Sequence, residues 1–344
     1  MAAEDALNAA VIGAGSWGTA LAALLARKGH CVTLWARDPQ LANEITARHE
    51  NFNYLPGVPL PEGLQVTADL RELRDREAYF LAVPSFAMRE IARKFYKMLG
   101  SSACNALWVS LTKGLEYERA DHKLVTMTQV LREELHLPPD RVLALSGPSF
   151  ADEVAKGQPT AVVLAGRDVS VVGALQRALM TERFRVYITG DVLGVELGGA
   201  AKNVIALAAG ASDGLGFGVN AKGALVARGL VEMTRLGTAL GARKETFFGL
   251  AGLGDLVITC MSAKSRNHQV GERIGQGESL DEILKSMTMV AEGVYATRAI
   301  HHFARERGLE LPITRAVYEV LYEGASPLEK LTELMTREPK REEI

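Results

Sequence analysis

The sequence predicts an α/β N-terminal domain with a mostly parallel sheet, followed by an all-helical C-terminal domain. Three observations carry this reading. Short apolar runs alternate with helix-period stretches up to about residue 190, a glycine-rich turn joins the first apolar run to the first helical one, and no clear strand signal remains after Asp191. Strands alternating with helices imply crossover units and a parallel sheet. Near-continuous apolar strands fit a sheet covered on both faces. The 344 residues are enough for about two domains, each with its own core. A net charge of −2 with 48% hydrophobic residues gives no bulk field for nucleic acid or an anionic membrane surface.

Taken in order, the first element is the strand-like run Ala9 to Ile12, followed by the helix-like run Thr19 to Lys28. Together they lie in an uncharged stretch, Ala6 to Ala26, long enough to cross a bilayer. Glycines at 13, 15 and 18 break that stretch into strand, turn and helix, and no basic residue precedes it, so it reads as neither an anchor nor a signal peptide. Further strands are read at "CVTLWA", "AYFLAVPS", "ALWVSLTKG", "RVLALSG", "TAVVLAG" and "FRVYITG", with helices at 85–98 and 121–135. Helices are then read at 192–210, 220–240, 266–276, 280–288, 293–307 and 312–323, with breaks at "SDGLGFG", "FGLAGLG", "GQGES" and "RGLELP". The expected domains are 1–190 and 191–344, with a frayed polar end, "TREPKREEI".

The segment "GAGSWG" fits G-x-G-x-x-G. Gly13 permits a tight turn, Gly15 lets backbone approach a pyrophosphate, and Gly18 lets the helix pack closely on the strand. The helix N-terminus offers N–H groups and a positive dipole end to phosphates. A preceding strand, a following helix and a second strand about 30 residues into the chain give the motif its context for dinucleotide binding. At the end of that second strand Arg37 comes before Asp38. Arg37 can stack on adenine and pair with a 2′-phosphate, which favours NADPH, with NADH as the weaker or alternative cofactor. As a solvated surface charge it would carry no such information. Asp38 reads as a helix N-cap before Pro39.

Four polar positions suggest chemistry. Lys113, in "SLTKG", follows an apolar strand, where open parallel sheets bind ligands, although a solvated lysine is the simpler reading of it alone. Lys202 is the one lysine in the long small-residue stretch "LGGAAKNVIALAAG". Burial would bring its pKa towards neutrality, where it can act as general acid or base; snorkelling to solvent is the alternative. Asp255, in "GLAGLGDLVIT", sits in a glycine-rich loop and can orient Lys202, bind a substrate hydroxyl, or cap a helix. Ser265, Arg266 and Asn267 at a helix start form a site for one phosphate, or ordinary capping with an exposed arginine. The seven histidines show no metal-ligand spacing, and no metal is assigned. Cys31, Cys104 and Cys260 match no zinc motif and read as reduced, mostly buried thiols of a cytosolic protein.

As a set, these motifs resemble the bacterial-type NAD(P)-dependent glycerol-3-phosphate dehydrogenases. The resemblance runs from "VIGAGSWGTALA" through "LTKG", "SGPSFA", "ELGGAAKNVIALAAG", "DGLGFGVNAKGAL" and "GLAGLGDL" to "SRN" and "AEGV". It implies a Rossmann-type domain followed by a helical one. It also implies reduction of dihydroxyacetone phosphate to sn-glycerol 3-phosphate, feeding glycerophospholipid synthesis in the cytoplasm. Lys202 then matches the family's general acid–base, Lys113 a lysine touching substrate and cofactor, and Asp255 the acid beside the catalytic lysine. Gly147, Ser149, Ser265, Arg266 and Asn267 match substrate positions. Ser16, Trp17, Arg37, Lys113, Ala151, Arg266, Val290 and Glu292 match cofactor positions, beside the glycines 13, 15 and 18. Ala227 and His268 depart from the pattern, where a threonine and a basic residue are expected. The glycine-punctuated apolar helices of the second domain suggest a homodimer. Two rivals are another two-domain dehydrogenase, which would not predict "SRN" after "GLGDL", and a non-catalytic dinucleotide sensor, which would leave Lys202 without purpose.

Overall fold

The computed structural model describes residues 6–339 and 341–342; Glu4, Asp5 and part of the polar C-terminal tail lie outside the described residues. In chain order the regular elements begin with β1 (Asn8–Ile12), α1 (Ser16–Arg27), β2 (Cys31–Trp35), α2 (Pro39–Arg48) and β3 (Gln65–Thr67). Then come β4 (Ala78–Leu81), α3 (Ser85–Leu99), β5 (Leu107–Ser110), β6 (Leu115–Glu118), β7 (Lys123–Thr126) and α4 (Met127–Leu135). They continue with β8 (Val142–Ser146), α5 (Ala151–Ala155), β9 (Thr160–Ala165), α6 (Val169–Leu179) and β10 (Phe184–Thr189). The rest is helical: α7 (Val192–Gly214), α8 (Val219–Ala239), α9 (Lys244–Phe247), α10 (Asp255–Met261), α11 (Arg266–Gly275), α12 (Leu280–Ser286), α13 (Glu292–Arg307), α14 (Pro312–Tyr322) and α15 (Pro327–Met335).

The chain divides into two compact units, residues 1–112 with 127–192, and residues 113–126 with 193–344. The sequence division at 190 puts 113–126 in the first unit and reads 121–135 as one helix. In the structure β6 and β7 pair as an antiparallel hairpin that belongs to the second unit, and the helix starts only at Met127. The reason is burial: Leu115 and Leu124 are each 4% exposed within the apolar core of the second unit.

The first unit holds an eight-stranded sheet in the order β10-β9-β8-β5-β4-β1-β2-β3. Every pairing is parallel except β8 with β9. The strands are mostly buried, β1, β4 and β8 almost throughout, as a sheet covered on both faces requires. β1 lies between β2 and β4, so the strand order reverses beside it, which places a ligand crevice at its carboxyl end. Gly13 adopts φ +112° there, and a Cβ on it would come within 2.7 Å of the Ala82 carbonyl oxygen. A Cβ on Gly18 would overlap the Gly13 carbonyl oxygen itself. Gly18→Ala therefore forces α1 away from β1 and should cost roughly 2–3 kcal/mol of stability, read as a lower urea midpoint at unchanged slope. An unchanged midpoint would show that this contact relaxes freely.

In the second unit α7 is the central helix. By length and composition it could cross a membrane, but 83% of its most apolar window is buried inside the protein. Its neighbour α11 approaches backbone to backbone. A Cβ on Gly210 would overlap the His268 carbonyl oxygen, and one on Gly271 that of Leu207. The hairpin leans on α13, with the Tyr117 ring stacked on His302 at 5.6 Å. Buried Glu232 of α8 accepts hydrogen bonds from the backbone N–H groups of Ile313 and Thr314, capping α14 where its own N-cap, Leu311, cannot. Burial pushes the Glu232 carboxyl up to about 7.

Candidate active site

The chemistry-bearing side chains of the second unit converge on one carboxylate. Asp255, 1% exposed, opens α10 directly after a π-helical turn at 250–254. The sequence reads this stretch as a flexible loop; the structure makes it helical and tightly packed. Glycines on both sides allow the close packing: a Cβ on Gly252 would overlap the Phe247 carbonyl oxygen, and one on Gly198 of α7 would meet the Ala251 carbonyl oxygen at 2.7 Å. Asp255 Oδ1 accepts from Lys202 Nζ at 2.7 Å, and Oδ2 accepts from Lys113 Nζ at 2.6 Å. Lys202 is buried on α7, so it does not snorkel; Lys113, beyond β5 at the root of the hairpin, has a side chain 22% exposed.

Burial pushes the Lys202 ammonium down to about 8, against the pull of the Asp255 carboxylate; the positive charge of Lys113 adds to the fall. Burial alone would raise the Asp255 carboxyl, but the two ammonium groups outweigh it and hold it below the ordinary carboxylate range. The unit thus keeps a carboxylate ionised in its interior and a lysine poised near neutrality. Such a lysine can give up or take a proton at small cost.

Thr259 completes the cluster, and the sequence reading missed it. Its hydroxyl donates to the Asp255 carbonyl oxygen at 2.5 Å and accepts from Lys202 Nζ at 2.7 Å. With two of its three hydrogens so placed, the Lys202 ammonium is aimed and one hydrogen is left. The available signal was the i,i+4 spacing of Asp255 and Thr259, which puts both on one helix face once 255–261 is read as a helix.

A chain of amides leads from this cluster to the start of α11. Asn203 donates to the Lys113 carbonyl oxygen at 3.1 Å and accepts from Asn267 Nδ2 at 2.8 Å. Asn267 Oδ1 accepts from Gly293 N–H at 2.9 Å, near the start of α13, where Val290 and Glu292 lie. Ser265 is the N-cap of α11, its hydroxyl accepting from His268 N–H at 3.2 Å. Arg266 is exposed beside it, with the Glu292 carboxylate as its charged neighbour. Its guanidinium and the first N–H groups of a ten-residue helix offer an anion a fork of donors. His268 sits apart from this fork: it is buried against Asp213 at 2.7 Å, and Lys222 shares that carboxylate at 2.6 Å.

The first unit carries the glycine turn. Gly15 is the N-cap of α1 and brings no side-chain cap; a Cβ on it would meet nothing within 4 Å. That open space in front of a helix N-terminus fits a dinucleotide pyrophosphate. Asn51, fully buried and unnoticed in the sequence, pins the turn by donating to the Ala14 carbonyl oxygen at 2.9 Å and to Thr19 Oγ1 at 2.8 Å. Ser16 donates to the Tyr54 carbonyl oxygen, and Trp17 packs on the core. Arg37 is exposed beyond β2, with no hydrogen-bond partner among the described residues, while Asp38 caps α2 by accepting from Gln40 N–H at 2.9 Å. Gly147 takes φ +132° after β8, Ser149 donates back to its carbonyl oxygen at 3.0 Å, and Ala151 opens α5.

Family comparisons fit this division of labour. Residues 8–172 match the profile of the NAD-dependent glycerol-3-phosphate dehydrogenase N-terminus, and residues 191–332 that of its C-terminus. The chain belongs to the NAD-dependent glycerol-3-phosphate dehydrogenase family. Among curated relatives, the glycerol-3-phosphate dehydrogenase [NAD(P)+] of Chlorobium luteolum is 48% identical over 98% of this chain and 99% of its own. That of Nitratidesulfovibrio vulgaris is 50% identical over 98% of this chain and all of its own. The crystal structure of the Coxiella burnetii glycerol-3-phosphate dehydrogenase superposes with a TM-score of 0.90 at 39% identity, covering 97% of this chain and 100% of that one.

Of the three cysteines, Cys260 lies on α10 beside the cluster, within the field of Lys202 and Asp255. Only Cys260 is buried, while Cys31 is exposed and Cys104 intermediate, a correction to the mostly buried set expected. Burial pushes the Cys260 thiol up to about 12, which keeps it protonated and unreactive.

Proposed function

We propose that this glycerol-3-phosphate dehydrogenase reduces dihydroxyacetone phosphate to sn-glycerol 3-phosphate, with Lys202 as the proton donor. The observation that carries the reading is the buried Lys113–Asp255–Lys202 cluster, tied through Asn203 and Asn267 to the start of α11. The reaction is a reversible hydride transfer that uses NADPH or NADH and supplies glycerophospholipid synthesis. Reduced nicotinamide, when bound, supplies the hydride for C2 of the substrate. Lys202 donates its remaining hydrogen to the C2 oxygen as negative charge develops there. Lys113 adds a second ammonium to the same region, and both are held in place beforehand by Asp255, so little reorganisation accompanies the step. Arg266 and Asn267 hold the phosphate and so orient the carbonyl.

Gly147, Ser149 and Ser265 are assigned to substrate. Gly13, Gly15, Ser16, Trp17, Gly18, Arg37, Ala151, Val290 and Glu292 are assigned to the dinucleotide, with Lys113 and Arg266 touching both. The three free cysteines support a reducing, cytoplasmic setting, and a homodimer is the assembly we assign.

The test is loss of nicotinamide absorbance with dihydroxyacetone phosphate, with NADPH and NADH in parallel. Turnover with one or both is expected; folded protein that binds a dinucleotide without turnover would overturn the assignment. In the same assay Arg37→Ala should raise the KM for NADPH about tenfold and that for NADH much less, because a bidentate charge-assisted contact to a 2′-phosphate is lost. Equal changes for both would remove the preference for NADPH.

A further inference from the structure

The second unit contains an apolar cleft that the reduction reaction does not use. It lies beneath α15, between α7, α8, α11 and α14, and is lined by Leu215, Leu225, Ile274, Val317, Leu321 and Leu334, among others. Its cavity volume is about 60 Å³, and it opens to solvent at its mouth. α15 spans it without filling it, since none of the nine residues of that helix is buried.

One polar side chain among the apolar ones gives the cleft a chemical preference. Ser212, 3% exposed, lines it, and its hydroxyl has no hydrogen-bond partner among the described residues. A serine in a helix ordinarily bonds back to the carbonyl four residues earlier. This one does not, and a buried hydroxyl left unpaired is costly. Lys330 is the cleft's one charged residue. Its ammonium already meets Glu319 at 2.8 Å and Glu333 at 2.8 Å, so it has no net charge to offer an anionic head group.

We propose that this cleft is a second ligand site, for a small neutral amphiphile: a short alkyl chain bearing one hydroxyl or carbonyl group that pairs with Ser212. The chain replaces water along the leucine and valine walls, and the polar group satisfies the orphaned hydroxyl. Apolar walls with a few placed polar groups are the usual make-up of a small-molecule site.

The test is calorimetric titration of the full chain with hexanol, and with hexanoate as the charged counterpart. Hexanol should bind saturably with one site per chain and hexanoate at least about tenfold more weakly, the margin set by the neutralised mouth. Ser212→Ala, a change a helix accepts, should weaken hexanol binding by about fivefold to tenfold, as for one lost buried hydrogen bond. Ala316→Leu, which fills the cleft from α14, should abolish binding while leaving the dehydrogenase rate unchanged. No saturable hexanol binding, equal binding of hexanoate, or full affinity in either variant would overturn the proposal. Because the readout is binding and not turnover, its failure is separate from any failure of the reductase assignment.

Discussion

Lys202→Ala should lower kcat by about 10³-fold while dinucleotide affinity, followed by quenching of protein fluorescence, stays within about twofold. The size follows from what the side chain does. It is the one group whose burial brings an ammonium to about 8, and with two hydrogens held by Asp255 and Thr259 it has one left to give. Alanine removes the donor and leaves the glycine turn of the first unit untouched. The variant should still fold, because Asp255 keeps its partner Lys113. A single-turnover experiment separates the outcomes: a slow chemical step with normal binding supports proton donation, whereas retention of most of the rate would remove Lys202 from the mechanism.

Asp255→Asn is the second large effect, and it has a direction in pH. The Asp255 carboxylate raises the Lys202 pKa against burial, so without it the lysine titrates below about 8. Reduction needs the ammonium form, present below the lysine pKa and lost above it. The wild-type kcat for reduction should therefore decline as pH rises through about 8, and in Asp255→Asn the same limb should move to lower pH. At neutral pH the expected loss is roughly 10²-fold, with partial recovery on acidification. Stability should fall too. Breaking a buried ion pair typically costs about 3–5 kcal/mol, here partly offset because Lys202 can shed its proton. A pH limb that stays in place, with only the amplitude reduced, would mean that Asp255 positions the lysine without tuning it.

The parts of this protein that could be read from its residues are those governed by local periodicity. Apolar runs such as "RVLALSG" became central strands, and the glycine turn carried its own geometry. What escaped depended on contacts distant in sequence. Residues 250–254 read as a break because glycine is a poor helix former in water. In the protein Gly252 is needed for backbone contact, because a Cβ on it would overlap the Phe247 carbonyl oxygen, and packing outweighs propensity. Thr259 was lost with that misreading, since its relation to Asp255 exists only on a helix. Asn51 looked like an ordinary loop residue, and its role as a clasp on the glycine turn depends on partners 37 and 32 positions away. Lys113 and Lys202 were legible as candidates, but their sharing of one carboxylate was not.

The placement of residues 113–126 bears on how the chain assembles as it is made. Leu115 and Leu124 leave the ribosome ahead of every helix that will bury them, because those helices begin at Val192. During synthesis the strands of the first unit can pair while this hairpin stays unsatisfied, its apolar face open to solvent and to chaperones. The second unit therefore cannot mature autonomously from the C-terminal half alone. A fragment beginning at Val192 lacks part of its own core and, with it, Lys113.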